Sequence, residues 1–233
     1  MKPLNYDGLP PSLLEKASKM TTRPGQSLAA TIDGSEAVYF VRSGALIQEV
    51  TLEGAHRQIT EILHPGGLVR TGSLAEGITS FIAVRAGELL RLRWPVFSEL
   101  MERNPQICRY FCRTTALQDA AKAIHMAALG QLDTQQRLAT YLVELAMRNG
   151  VPSRAGGVVF AMPLTRGQMA DYLGLNADTL SRIMSGLRAR GLIRQQRQKR
   201  TVTCQLEALS ALTPAAEALA KLFVRGVSLQ PLG

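Results

Sequence analysis

The period of the hydrophobic pattern changes once, at Trp94-Pro95, and that change divides the chain into two kinds of structure. Before it, Arg57-Gln58-Ile59-Thr60-Glu61-Ile62-Leu63 alternates apolar and polar residues with period two, as a half-buried strand requires. Ala37–Val41 and Ala45–Thr51 read as short strands flanking Arg42-Ser43-Gly44, and Ile78–Ala86 and Leu89–Arg93 complete the series. Gly25, Gly34, Gly44, Gly54, Gly66-Gly67 and Gly77 punctuate the stretch about every ten residues, a spacing of turn signals that predicts a sandwich or rolled barrel.

From Val96 onward the period is helical. Pro105 can open a long helix at its first turn. Within it Tyr110, Thr114, Leu117, Ala121, Ile124 and Ala128 recur at 4-3-4-3-4 spacing, which fits a seam between two chains and equally a helix packed on its own β domain. Gly130 breaks the pattern. Asp133 starts a second amphipathic helix, with Leu138, Tyr141, Leu142 and Leu145 on one face, running to Asn149-Gly150. Pro152–Gly157 reads as a loop.

A chain of 233 residues with 46% hydrophobic and 19% charged residues can bury cores in two domains. Three cysteines exclude a disulfide scaffold and a four-thiolate zinc ribbon, and suit a reducing cytoplasm. No stretch approaches the ~18 uninterrupted apolar residues of a membrane span, and the first residues show no secretory h-region. A cytoplasmic protein with no membrane partner is expected.

The formal charge of +9 is unevenly distributed: residues 165–200 carry eight basic and two acidic residues. Concentrated positive charge is the footprint of a polyanion binder, or of an ordinary solvated surface. The pattern beneath the charge decides. Thr165 and Gln168 form a Thr-x-x-Gln capping box. Ala170 is small where two helices would cross, Gly174 suits a tight turn with positive φ, Leu175 plugs that turn, and Asn176 caps a second helix. Leu180, Ile183 and Leu187 supply its buried face. Asp178, Ser181, Arg182 and Ser185 fall on the opposite face.

That face has the chemistry of base readout. Arg182 can donate two hydrogen bonds to guanine O6 and N7, Asp178 can accept from cytosine N4 or orient Arg182, and Ser181 can bond a base edge. Thr165, Arg166, Asn176, Thr179, Ser185, Arg188, Arg197, Lys199 and Arg200 suit the DNA backbone. Leu192-Ile193-Arg194 and Thr201-Val202-Thr203, around Gln195–Gln198, read as a β-hairpin wing. No Ser/Cys–His–acid order, P-loop or dinucleotide fingerprint stands out, so no enzyme is expected.

The order β-roll, long helix, winged helix-turn-helix resembles the Crp–Fnr family of bacterial transcription factors over roughly residues 10 to 210. Its most specific part is Gly174-Leu175-Asn176-Ala177-Asp178-Thr179-Leu180-Ser181-Arg182. Asp178-Thr179-Leu180-Ser181-Arg182 matches the Glu-x-x-Ser-Arg of the Fnr branch, with an acid one methylene shorter. The resemblance implies an α+β chain: a cyclic-nucleotide-binding-like β-roll over 1–104, a dimerisation helix over 105–129 and a winged helix-turn-helix over 130–233. It implies a homodimer on double-stranded DNA near TTGAT-N4-ATCAA, regulating transcription, as an activator through RNA polymerase. The long-helix seam is favoured on that ground, since two recognition helices must sit about one DNA turn apart. The rival readings are a repressor answering an unidentified ligand or redox signal, and a ligand-binding module whose helix-turn-helix serves protein contacts.

The resemblance also specifies what a sensor would need. The cyclic-nucleotide branch uses a Gly-Glu pair for the ribose and an Arg-Ser or Arg-Thr pair for the phosphate. Counting along the roll puts Thr71 where that Glu would stand and Ser80 where the Arg would stand. Glu76 and Arg85 nearby read as solvated roll residues. A buried phosphate without its arginine is poorly compensated, so tight cyclic AMP binding is not expected. The iron–sulfur branch needs cysteines near the N-terminus, and none precedes Cys108, so that cluster is disfavoured. Haem or another effector stays open, and no cofactor is predicted. Cys108, Cys112 and Cys204 are redox candidates. Cys108 and Cys112 could instead ligate a metal with His125, or all could be small buried hydrophobes. His56 and His64 have no ligand set around them.

Overall fold

The structure, a computed structural model, describes residues 10–72, 78–154, 156–196 and 200–225, the side chains at 55, 56, 196 and 225 excepted. It divides into two compact units, with the boundary between Asp119 and Ala120, inside the long helix.

The first unit opens with helix α1 (Pro11–Lys16) and strands β1 (Ser18–Thr22) and β2 (Thr31–Ile32). Strands β3 (Ser35–Val41), β4 (Ala45–Leu52), β5 (His56–Leu63), β6 (Leu68–Arg70), β7 (Thr79–Arg85) and β8 (Gly87–Arg93) follow. One sheet runs β1-β8-β3-β2 with β6 also paired to β3, and the other runs β5-β4-β7. The two sheets form the expected β-roll. Gly44 and Gly87 permit its closest approach: a Cβ on Gly44 would lie 2.8 Å from the Arg85 and Ala86 carbonyls, and one on Gly87 only 2.0 Å from that of Ser43. No side chain fits there.

Strand β3 is buried on both faces, and its period-two alternation feeds two cores. Ala37, Tyr39 and Val41 pack with Leu46, Leu63, Val69, Ala83 and Leu89. Val38 and Phe40 point the other way, to Leu13, Leu90, Leu92, Phe97 and Ile107. The second core is closed by helix α2 (Trp94–Arg103), where Trp94-Pro95 starts a helix rather than only ending a strand, and by the start of helix α3 (Pro105–Gln131). Phe40, Trp94, Phe97, Tyr110 and Phe111 form a continuous aromatic group, with ring centroids 5.4–6.1 Å apart. The Gln118 side chain fastens the next turns of α3: its oxygen accepts from Leu68 N at 3.0 Å, and its nitrogen donates to Leu68 O at 3.1 Å and Glu61 at 2.8 Å.

The residues of the expected seam make their contacts within the chain. The Tyr110 hydroxyl donates to Gly66 O at 3.0 Å, Thr114 and Ala128 are buried, and Leu117, Ala121 and Ile124 are half-buried. That line of α3 therefore packs within the chain. The residues two positions later on each step, Cys112, Ala116, Asp119, Ala123, Met126 and Gly130, repeat the same 4-3-4-3-4 spacing, and all six are exposed. An alanine-rich helix satisfies the apolar pattern on more than one face, so spacing alone could not choose between them. Gly130 does not break the helix, which continues to Gln131.

In the second unit, helix α4 (Thr134–Asn149) is capped by Asp133, whose side chain and Gln136 form a reciprocal box. Its buried face includes Leu138, Tyr141, Leu142 and Leu145, as predicted. Strands β9 (Val151–Pro152) and β10 (Val158–Ala161), helices α5 (Arg166–Leu173) and α6 (Ala177–Ala189), and strands β11 (Ile193–Gln196) and β12 (Thr201–Cys204) follow. Helices α7 (Leu206–Ser210) and α8 (Ala216–Ala220) close the unit. The strands form one sheet in the order β11-β12-β10-β9, so the 152–157 segment is not wholly loop.

Within this unit the imidazole of His125, on α3, stacks on Tyr172, with centroids 3.8 Å apart and planes 1° from parallel. Its Nε2 is buried with no hydrogen-bond partner, and burial lowers its pKa to about 4. The folded state thus binds fewer protons at this residue than the unfolded state, where histidine titrates near ~6.5. Stability from this group is full above that value and falls as pH drops toward 4. The urea midpoint of the wild type is expected to decline from pH 6.5 to 4.5 more steeply than that of His125→Phe, which keeps the stack but cannot protonate. Parallel pH profiles for the two proteins would remove His125 as the cause.

Candidate nucleic-acid interface

The Thr165 hydroxyl accepts from Gln168 N at 3.3 Å while Gln168 accepts from Thr165 N at 2.9 Å, so α5 begins with both ends of its capping box closed. Ala170 is buried, as a crossing point demands. At Gly174 the chain turns left-handed (φ 61°, ψ 43°), and Leu175 N returns to Ala170 O at 2.9 Å. This backbone bond ends α5 within one residue of its last turn. Arg137 supports the same end by donating to Leu173 O at 3.3 Å, a cation on a helix C-terminus.

Asn176 then caps α6, its side-chain oxygen accepting from Thr179 N at 2.7 Å. The 13-residue α6 buries Leu180, Met184 and Leu187. Met184 takes the position expected of Ile183, which is half-buried. The i, i+4, i+7 set 180-184-187 describes the packed stripe better than 180-183-187.

The opposite face matches the sequence reading. Asp178, Arg182 and Ser185 are exposed, and Ser181 and Thr179 are half-buried beside them. Three arginines rest on hydroxyls of this face: Arg182 on Thr179 at 3.4 Å, Arg166 on Ser181 at 3.4 Å, and Arg188 on Ser185 at 2.9 Å. Arg166, from the first turn of α5, thereby joins the face presented by α6. Thr165, Arg166 and Asn176 are exposed and Arg188 is half-buried.

The wing forms as predicted, with β11 and β12 antiparallel and Gln196 opposite Thr201. Arg194 is exposed on it. Arg200 is exposed too, at a left-handed φ of 47° uncommon outside glycine. Arg197 and Lys199 lie outside the described residues.

The other candidates lie on other elements. Cys204 is buried in β12, and burial pushes its thiol up to about 11, so it stays protonated near neutral pH and is a poor nucleophile. Cys108 and Cys112 are on α3, and His125 follows Cys112 by about 20 Å along the helix axis, too far to share a metal. In the roll, the Thr71 hydroxyl accepts from Ala37 N at 2.9 Å and lies within hydrogen-bond distance of Ala30 O and Ala37 O. Thr71 is a stitch between backbone segments. Glu76 lies outside the described residues. Sequence reasoning missed Arg137, whose only signal was a basic residue in the first turn of α4.

Residues 136–212 match the family of Crp-like helix-turn-helix domains, a span running from the first turn of α4 past α7. The transcriptional regulatory protein btr of Bordetella pertussis is 27% identical over 203 residues, 84% of each chain. The nitrogen fixation regulation protein FixK of Rhizobium meliloti is 29% identical over 82% of this chain and 85% of its own. The transcriptional activator protein FnrL of Cereibacter sphaeroides is 29% identical over 72% of this chain and 69% of its own. Among solved structures, FixK2 from Bradyrhizobium japonicum superposes with a TM-score of 0.72 at 24% identity, covering 86% of this chain and 98% of its own. A CooA mutant from Carboxydothermus hydrogenoformans gives 0.71 at 18% identity, over 85% and 88%. These two likenesses establish the shared fold.

Gly174→Ala tests the turn. The new Cβ would meet Arg137 at 3.4 Å and Leu129 at 3.6 Å, ordinary contacts, so its cost is the left-handed backbone alone. That predicts a loss of about 1–2 kcal/mol in urea unfolding, with Gly174→Asn losing less. Equal losses from the two substitutions would show that packing, not φ, governs the position.

Proposed function

The chain belongs to the Crp–Fnr family of transcriptional regulators, and on that footing we propose that it is a cytoplasmic homodimer that reads a palindrome near TTGAT-N4-ATCAA through α6. The observation that carries this reading is the exposed row Asp178, Arg182 and Ser185, on a helix whose back is buried and whose start is fixed by Gly174 and Asn176. Arg182 reads guanine, Ser181 a neighbouring base edge, and Asp178 accepts from cytosine or steers Arg182. Arg166, Arg188 and Arg200 neutralise phosphates, with Thr165, Asn176, Thr179 and Ser185 as neutral backbone contacts. Arg197 and Lys199 extend that set in the wing. The role is binding rather than catalysis, and the protein activates transcription by touching RNA polymerase once seated on DNA.

No cyclic nucleotide is required in this proposal. Thr71 and Ser80 offer no charge where the ribose and phosphate would need one, and the Thr71 hydroxyl is engaged by backbone. The second copy docks along the exposed line Cys112, Ala116, Asp119, Ala123, Met126 and Gly130 of α3, four of which are small enough to let two helices approach. Met126, 70% exposed, is the largest apolar group on it.

Fluorescence anisotropy on that duplex and a scrambled control, across a salt series, tests the readout. The wild type is expected to prefer the palindrome. Arg182→Ala should lose about 1–3 kcal/mol on the palindrome and almost nothing on the scramble. Arg200→Ala should weaken both duplexes alike and lower the salt slope by about 0.9. Equal affinity of the wild type for both duplexes would reject the site. Ala123→Glu should convert the dimer to a monomer in light scattering with unchanged circular dichroism, and a persistent dimer would put the seam elsewhere.

A further inference from the structure

Cys108 and Cys112 take no part in DNA recognition, yet they are placed as a pair. They stand at i and i+4 on α3, one turn apart on the same side of the helix. Cys112 is exposed and Cys108 half-buried. Hydrogen bonding with Cys112, then desolvation and the proximity of Cys112, raise the Cys108 pKa against the opposing charge of Arg109. Each cysteine is followed in the sequence by an arginine, Arg109 and Arg113.

Geometry decides what such a pair can do. Side chains at i and i+4 have Cβ atoms about 5–6 Å apart. A disulfide needs roughly 3.5–4.5 Å, so direct oxidation would have to distort the helix. A single thiophilic atom between the sulfurs spans the wider gap without moving the backbone. Thiolates are soft ligands that select soft centres, and two thiols suit a trivalent arsenic carrying one organic group.

We propose that Cys108 and Cys112 form a chelating dithiol site for thiophilic trivalent metalloids, and that filling it blocks pairing of a second copy along α3. The step is a ligand exchange. Two As–S bonds form, the arsenic–oxygen bonds of an arsenous compound break, and both thiol protons leave with the oxygen as water. Arsenic stays trivalent and no oxidant is involved. The consequence for assembly follows because Cys112 lies on the exposed line with Ala116 and Ala123, where a bulky adduct would hold two helices apart. This second part rests on the homodimer seam proposed above.

The test uses the full-length reduced protein and phenylarsine oxide, with Cys204→Ser, Cys108→Ser and Cys112→Ser. Wild type and Cys204→Ser are expected to gain one adduct by intact mass and to lose two titratable thiols. Their adducts should survive excess 2-mercaptoethanol and be removed by 2,3-dimercaptopropanol, since two linked thiols act at high effective concentration. Cys108→Ser and Cys112→Ser should hold the arsenical more than about tenfold less tightly under the same monothiol wash. Full retention by either variant, or loss of the wild-type adduct to monothiol, overturns the chelate. Light scattering and anisotropy then read assembly: the adduct is expected to be monomeric, with DNA affinity reduced more than about tenfold. A loaded protein that stays dimeric and binds DNA normally overturns the block on pairing. A reduced, arsenic-free wild type that is already monomeric shows instead that the homodimer reading has failed, and the thiol titration still judges the chelate.

Discussion

Helix α3 contributes to both units, and the proposed homodimer places a second, opposed demand on it. Its inner line must be held against the chain. The aromatic group around Phe40 and Phe97 does this at the start, the Gln118 amide in the middle, and the His125–Tyr172 stack near the end. Its outer line, in the proposed homodimer, must stay bare and narrow enough for another helix to approach. The alanines, glycine and cysteine of that line meet the second demand, beside Asp119 and Met126, but such small residues contribute little burial. The stability of this 27-residue helix therefore rests on its inner side. The anchors differ in kind accordingly: large aromatic area where a sheet face is available, and directional hydrogen bonds at Gln118, where the neighbour is the backbone of Leu68.

Local signals made the DNA-facing end legible. Asp133, Thr165 and Asn176 each satisfy the first turn of the helix that follows, and each was recognisable from its residue type and its spacing to the next polar residue. Gly174 was recognisable because only a residue without Cβ adopts its φ cheaply. Such signals span four or five residues and survive without tertiary information. The charged face of α6 followed once its ends were known, because a helix fixes which side chains share a side.

What could not be read depends on contacts made far along the chain. Strands β1, β2, β6 and β9 are only two to five residues long and owe their existence to partners: β1 to β8 and β6 to β3, each more than 25 residues away. Sequence spacing alone did not show that Tyr110 and Ile124 make contacts within the chain, because Gly66 and the second unit's core are far from them in sequence. Met184 was overlooked for Ile183 since either fits an apolar stripe, and the difference is a rotation of one position. The β-roll was legible as a class because its glycine turns recur, whereas its closest contact, between Gly44 and Gly87, pairs residues in separate turns.

The recognition face also shows why a free protein can hold arginines ready without locking them. Each guanidinium on it rests on a neutral hydroxyl, Thr179, Ser181 or Ser185, rather than on a carboxylate. The contacts of Arg166 and Arg182 are long for hydrogen bonds, at 3.4 Å, and fall at the weak end of such interactions. A bidentate bond to guanine is worth roughly 1–3 kcal/mol of discrimination, and phosphate neutralisation adds counterion release. Exchange onto DNA is therefore downhill, and the rotamer search is shortened because the side chains already lie along α6. A carboxylate in place of Thr179 would invert this balance: Arg182 would be held by a charge-assisted pair that DNA must break, and the face would lose net positive potential as well. Asp178, the one acid on this face, precedes Arg182 by a full turn, and among the described contacts Arg182 rests on Thr179 instead. Arg182 therefore rests on a neutral hydroxyl rather than on a carboxylate, which is the property the proposed guanine contact needs.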